Sequence, residues 1–254
     1  MSPGVRRIVA PIVGIVAFAV FWELLVRLFD IRRFVLLPPS AIIDTLTDAP
    51  GFFWDNALVT ARHMVVGLSI ALLFAIAVGS LMAASRFVEE AAQPVLVLVL
   101  VTPWVAYITS VVLWLDGGDP TIYSLVAFPS CPVFRFGVVG GLKAAAPAAR
   151  ELLASVDARP WEVFWRLRLP SALPSIFTTA RFAVGLGLAA AYFSEGSALT
   201  TEGLGAIGRR AASFNDAEVL WTTIVCSALL GIAGLTLLSV LERLLLRWHV
   251  SQRS

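Results

Sequence analysis

An all-α integral membrane protein with about six transmembrane helices is expected from three observations. Of the 254 residues, 59% are hydrophobic and 14% charged, against roughly 25% charged residues in soluble domains. The mean hydropathy is +0.87. Apolar runs long enough to cross a hydrocarbon core recur along the chain, separated by short polar or proline-containing breaks. The length suits five or six spans with short loops and leaves no room for a separate soluble enzymatic domain, so 1–254 reads as one transmembrane domain. The net charge of +2 is spread over loops that flank spans, which argues against nucleic-acid binding. Cys131 and Cys226 fall in apolar runs and read as buried thiols, and His63 and His249 lie far apart, so no metal-ligand spacing occurs.

The first span, 8–25, follows Arg6 and Arg7 and lacks a small-residue cleavage site, so a retained helix is preferred to a signal peptide. Glu23 and Arg27, four residues apart, neutralise each other on one face. Leu37-Pro-Pro-Ser40 breaks the chain, and a short interfacial helix over 42–46 precedes the Pro50-Gly51 turn. From Trp54, an amphipathic approach containing Arg62 and His63 leads into the second span, 64–84, where Gly67 and Gly79 permit close helix contacts. Glu89-Glu90 and Pro94 separate this from the third span, 95–115, in which Pro103 predicts a kink. Asp116-Gly-Gly-Asp-Pro120 is a tight polar turn.

The fourth span, 121–142, carries Arg135 between Pro132 and Gly137. Ionisable groups inside spans are functional candidates by default. Arg135 either attracts an anion beside a pathway, or snorkels toward Lys143 or closes an ion pair within the bundle. A fifth span covers 173–193, with Arg181 inside it, and a sixth covers 219–241. Between them, 194–216 forms an outer loop containing Glu195 and Gly203-Leu204-Gly205.

Between the fourth and fifth spans lies a polar island, 147–170, holding Arg150, Glu151, Asp157, Arg159, Glu162, Arg166 and Arg168. Two short helices joined by a tight turn are expected there. Pro147 and Pro160 suit first helical positions, Leu152, Leu153 and Val156 share a face, and Asp157 tolerates turn geometry. Trp161, Phe164, Trp165 and Arg168 recur at helical spacing, and Leu169-Pro170 marks the end. With the N-terminus inside, eleven basic residues flank the cytoplasmic ends (Arg6, Arg7, Arg86, Lys143, Arg150, Arg159, Arg166, Arg168, Arg243, Arg247, Arg253) against six outside (Arg27, Arg32, Arg33, Arg62, Arg209, Arg210). That asymmetry favours both termini, and the island, in the cytoplasm.

The island resembles the cytoplasmic loop of permease subunits of binding-protein-dependent ABC importers, whose pattern runs Glu-Ala-Ala, three residues, Gly, then about a dozen residues to Leu-Pro. Counting back from Leu169-Pro170 places Glu151 on the Glu, Leu152 and Leu153 on the two Ala, Asp157 on the Gly, and Trp161 on an aromatic of the nitrate/sulfonate/taurine branch. Pro170-Ser-Ala-Leu-Pro174, Leu37-Pro-Pro-Ser40, Gly203-Leu204-Gly205 and Leu246-Arg247-Trp248 resemble further segments of that branch. The resemblance implies a type I ABC importer permease fold whose coupling helix docks on an ATPase subunit. It implies coupling residues Glu151, Ala154, Asp157, Trp161, Phe164, Leu169 and Pro170, and pathway or gate residues Arg135, Glu195, Gly203 and Gly205. The implied partners are ATPase subunits, a second copy or a paralogous permease, an extracytoplasmic substrate-binding protein and membrane lipid. No cofactor is expected in this chain, ATP and Mg being bound by the partner ATPase, because no Gly-rich phosphate loop with Lys-Ser/Thr occurs. The resemblance further implies a small anion or organic solute as substrate: nitrate, a sulfonate, taurine or a vitamin precursor. An ATP-independent secondary transporter or channel would show inverted repeats with broken helices in both halves, and a membrane-embedded enzyme would show clustered His, Asp or Glu.

Overall fold

The computed structural model describes residues 3–197 and 200–247; Trp248, His249 and Arg253 lie outside them, as do the side chains of Arg7, Pro147, Arg150 and Ala154. The helices are α1 (Pro3–Leu28), α2 (Pro39–Asp48), α3 (Pro50–Ala84), α4 (Arg86–Val101), α5 (Ile108–Leu115), α6 (Gly118–Lys143), α7 (Pro147–Ser155), α8 (Pro160–Val163), α9 (Leu169–Glu195), α10 (Leu204–Ser213) and α11 (Ala217–Leu245). Five helical stretches are long and apolar enough to span a membrane, and α4 with Trp104–Leu115 makes a sixth if that bent pair counts as one. The expected all-helical membrane architecture holds.

The core is a three-helix seam of α3, α6 and α9, built on small residues. Gly67, Ala71, Ala75 and Gly79 recur every fourth residue on the buried face of α3, the spacing that lets helix backbones approach in a membrane. A Cβ added at Gly67 would lie 2.5 Å from Val126 Cβ, and one at Gly141 would lie 2.5 Å from Ala172 Cα. Phe134, Val138, Leu142, Ile176 and Ala183 fill the centre. The close contacts expected of Gly67 and Gly79 are therefore present. Outside the seam, α1 exposes Ile12, Ile15, Phe18 and Phe21, and α11 exposes Leu229, Ile232 and Leu237. Faces of that kind are solvated by hydrocarbon rather than water. At its end α1 is pinned to α2: Glu23 accepts from Arg27 Nε (2.6 Å) and from the Ser40 N–H (3.0 Å) and hydroxyl (2.8 Å). The Glu23–Arg27 pairing is as expected, with Ser40 as an additional partner.

Three helix starts or junctions differ from the sequence expectation, each for a physical reason, and the kink expected at Pro103 is present. The helix carrying the second span starts ahead of the approach expected from Trp54: α3 is continuous from Pro50, because Pro50 sits in its first turn, where its missing N–H has no helical acceptor to lose. The helix leading into the third span begins at Arg86, ahead of Pro94. The Ser85 hydroxyl accepts from the Val88 N–H and caps α4, and Pro94 lies inside that helix. The kink expected at Pro103 is a 90° elbow. Thr102, preceding a proline, is extended (φ −77°, ψ 129°) and stops α4, and Trp104–Tyr107 restarts the chain as a 3₁₀ turn. Leu169-Pro170 does not end the island. A π turn at Phe164–Arg168, in which the Leu169 N–H reaches the Phe164 carbonyl five residues back, carries α8 into α9 without a break.

The loop expected over 194–216 contains α10, whose Leu204, Ile207 and Ala211 are buried. Helices α3, α6, α9 and α11 thus share two ends. One carries Ala84, Lys143 and the α7–α8 hairpin; the other carries Asn56, Asp119, Glu195 and α10.

Candidate functional site

Two arrangements at opposite ends of the seam hold the residues singled out by sequence, Arg135 excepted. The first is the α7–α8 hairpin. Helix α7 closes with Asp157 in the left-handed region (φ +47°) and the Ala158 N–H bonded to the Leu153 carbonyl at 3.0 Å, a Schellman closure. Arg159 is extended ahead of Pro160, and its N–H donates to Glu162 Oε2 at 3.1 Å, which fixes the start of α8. Asp adopts the left-handed conformation through its short polar side chain, where a β-branched residue would be strained. Asp157→Val is expected to destabilise the hairpin by about 1–2 kcal/mol, whereas Asp157→Gly leaves it intact. Limited proteolysis between α7 and α8 checks this, because only the valine variant should be cut faster.

The hairpin divides its aromatic residues. Phe164, partly buried, packs against the core of the seam. Trp161 and Trp165 stand outward with ring centroids 5.2 Å apart, and Trp161 is 68% exposed. Leu152 and Val156 of α7 are also exposed, as is Glu151. Together these make an apolar knuckle rimmed by Glu151, Arg159 and Arg166 at one end of the bundle. Leu169 and Pro170 lie behind it, half-buried, where the π turn passes into α9. Glu151, Asp157, Trp161, Phe164, Leu169 and Pro170 are thus brought into one motif; for Ala154 only the backbone, within α7, is described.

The second arrangement lies at the opposite end and is buried. Glu195, the last residue of α9, accepts from the Thr60 hydroxyl (2.9 Å) and the Gly205 N–H (2.8 Å) through Oε2, and meets His63 Nδ1 at 2.8 Å through Oε1. The other ring nitrogen of His63, Nε2, meets Asp119 Oδ1 at 3.2 Å, and Asp119 Oδ2 accepts from Arg62 (2.5 Å) and the Tyr123 hydroxyl (3.2 Å). His63 and Glu195 are fully buried. Three successive N–H groups at the start of α10 end on side chains of α3 and α9: Gly203 on Asn56 Oδ1 (2.8 Å), Leu204 on Thr60 Oγ1 (2.8 Å) and Gly205 on Glu195. These are donors that a helix cannot satisfy internally. Glycine is required twice. Gly203 has φ +100°, and a Cβ at Gly205 would overlap the Tyr192 backbone carbonyl. Sequence reading singled out Glu195, Gly203 and Gly205 but missed His63, Thr60, Asn56 and Asp119. The available signal was the ionisable set at the ends of neighbouring spans, Arg62-His63 on one and Asp119 on the other.

Arg135 belongs to neither arrangement. It is 6% exposed, its guanidinium lies 4.2 Å from the Phe136 ring centroid, and it reaches no carboxylate within ion-pair distance among the described residues. Arg181 pairs with Glu242 of α11 at 2.5 Å. An open groove of about 700 Å³ between α3 and α11 is lined by Phe53, Trp54, Leu229 and Leu230. It carries no charged group to orient a hydrophilic solute. Among the described residues, no group of three His, Cys, Asp or Glu converges to hold a metal; Glu195 and Asp119 lie against opposite nitrogens of the His63 ring.

Comparison with known proteins agrees with this architecture. Residues 67–248 match the family described as binding-protein-dependent transport system inner membrane component. The formylaminopyrimidine transport permease protein ThiX of Halalkalibacterium halodurans is 29% identical over 236 residues, covering 92% of this chain and 93% of that protein. The taurine transport system permease protein TauC of Escherichia coli is 26% identical over 251 residues, covering 96% and 91%. Among solved structures, a chain of the inward-facing MetNI methionine ABC transporter superposes with a TM-score of 0.59 at 16% identity, covering 76% of this chain and 97% of that one, a likeness of fold. With a family match over most of its length and relatives that align nearly end to end, the chain belongs to the binding-protein-dependent transport system inner membrane components, the permease subunits of ABC importers.

Proposed function

We propose that the chain works as a dimer, with itself or with a paralogous permease, each copy seating its α7–α8 knuckle on a separate ATPase subunit that binds ATP and Mg. The observation that carries this is the exposed apolar knuckle of Leu152, Val156 and Trp161 on a hairpin otherwise rich in charge. Exposed aromatic residues in a charged rim are the composition of a protein–protein anchor. Closure of the ATPases would move the hairpin, and α9, continuous with α8, would move with it. Both termini and the hairpin are cytoplasmic in this reading, following the basic asymmetry of the loops. The α10 end then faces outward, toward a soluble binding protein that delivers substrate. The substrate is a small anion or organic solute of the kind named for the relatives, such as taurine or a formylaminopyrimidine. The charge of Arg135, buried and outside ion-pair distance of the described carboxylates, favours an anion.

The test is co-purification of the chain with its ATPase. Trp161→Ala removes an exposed side chain and leaves the seam untouched. Loss of an anchor worth about 2 kcal/mol weakens association roughly 30-fold. Retention of ATPase by the Trp161→Ala and Glu151→Ala variants at the wild-type level would overturn the docking assignment.

A further inference from the structure

His63 meets a carboxylate at each of its two ring nitrogens. Glu195 Oε2 faces two donors, the Thr60 hydroxyl and the Gly205 N–H, and Asp119 Oδ2 faces two more, Arg62 and the Tyr123 hydroxyl. Each carboxylate thus has one oxygen taken by donors and turns its remaining oxygen to a different nitrogen of the His63 ring, at 2.8 and 3.2 Å. A neutral imidazole has one N–H and one lone pair, so between two ionised carboxylates it would set a lone pair against an oxygen on one side. A doubly protonated ring satisfies both. The result is a line of alternating charges, Arg62, Asp119, His63 and Glu195, which sums to zero, whereas a neutral ring between ionised carboxylates leaves the fully buried Glu195 with no cation facing it.

We propose that His63 is a doubly protonated imidazolium that closes this line and thereby latches α10 to α3 and α9 at the end of the bundle away from the hairpin. The latch follows from where the bonds go. Glu195 can serve the Gly205 N–H only while His63 holds its other oxygen in place, and Thr60, bonded to both Glu195 and the Leu204 N–H, ties the same carboxylate to the next donor. The charged and titratable groups that face the ring are accounted for. Arg62 on α3 and Tyr123 on α6 engage Asp119, Tyr192 on α9 bonds Thr223, and Arg209 on α10 donates to the Gly196 carbonyl. None of these is free to replace the imidazolium.

Two measurements on the full chain in detergent test it. The chain has two histidines, so a His249→Gln variant labelled with ¹⁵N-histidine reports His63 alone. The expected spectrum at neutral pH shows both ring nitrogens carrying protons; a spectrum with either nitrogen unprotonated overturns the proposal. In the second, His63→Gln is expected to speed amide exchange over residues 203–213 at least about tenfold while the middle of α6 keeps its protection. Unchanged exchange in α10 overturns the latch. The nitrogen spectrum needs no change within the network, so the proposal stays testable if His63→Gln does not fold. Neither readout involves an ATPase, so a failed co-purification would remove the proposed function and leave this result standing.

Discussion

Glu195→Ala should lower the stability of the folded chain by about 3–5 kcal/mol, the usual result of removing one partner from a buried ion pair. The size follows from what is left behind. His63, already 0% exposed, keeps Asp119 on one side and faces an empty space on the other, and the Gly205 N–H and the Thr60 hydroxyl lose their acceptor in the same step. Each buried donor left unpaired costs about 1–3 kcal/mol. In a chain of this size 1 kcal/mol corresponds to roughly 2–4 °C in Tm, so thermal unfolding in a mild detergent should show a drop of roughly 10 °C or more. A shift of only a degree or two would mean that water enters and solvates the site.

Gly205→Ala ranks second, and its effect is steric rather than electrostatic. The new Cβ would overlap the Tyr192 carbonyl, with Tyr192 Cα at 2.9 Å, and neither can yield without moving the last turn of α9. That carbonyl also accepts from the Gly196 N–H at 3.3 Å, so displacing it breaks the turn that positions Glu195. Overpacking against backbone costs about 3 kcal/mol. Gly185→Ala supplies the control: nothing lies within 4 Å of the added methyl, and exchanging a mid-helix glycine for alanine is worth about 0.5–1 kcal/mol in the stabilising direction. Opposite shifts in Tm for the two substitutions are the expected outcome; equal shifts would show that the α10 docking is loose enough to absorb a methyl group.

The spans were legible because their signal is local: composition and run length mark α1, α3, α6, α9 and α11 without knowledge of their neighbours. The α7–α8 hairpin was legible for a similar reason. Pro147, Asp157 and Pro160 fix φ or tolerate a positive φ by their own covalent structure, and Asp157 stands at +47°. What proline does inside a helix was less legible. Pro94 and Pro170 read as breaks, yet both lie within continuous helix, because the strain at a proline can be absorbed by a neighbouring turn such as the π turn at Phe164–Arg168. The partner of Glu195 could not be read from the sequence at all. His63 is 132 positions away, and it reaches Glu195 because the Gly67–Gly79 stripe draws α3 close to α6 while α6 packs on α9.

The unbroken run from Pro160 to Glu195 sets an angular tolerance. Its 36 residues make a helix about 54 Å long at 1.5 Å per residue. A tilt of one degree about its Trp161 end therefore displaces Glu195 by about 1 Å. A hydrogen bond of 2.8 Å is lost within roughly that distance. A change of orientation too small to show as a rearrangement at the hairpin would thus be enough to part Glu195 from His63, some 50 Å away by the same helical rise, and the seam could stay fully packed while it happened.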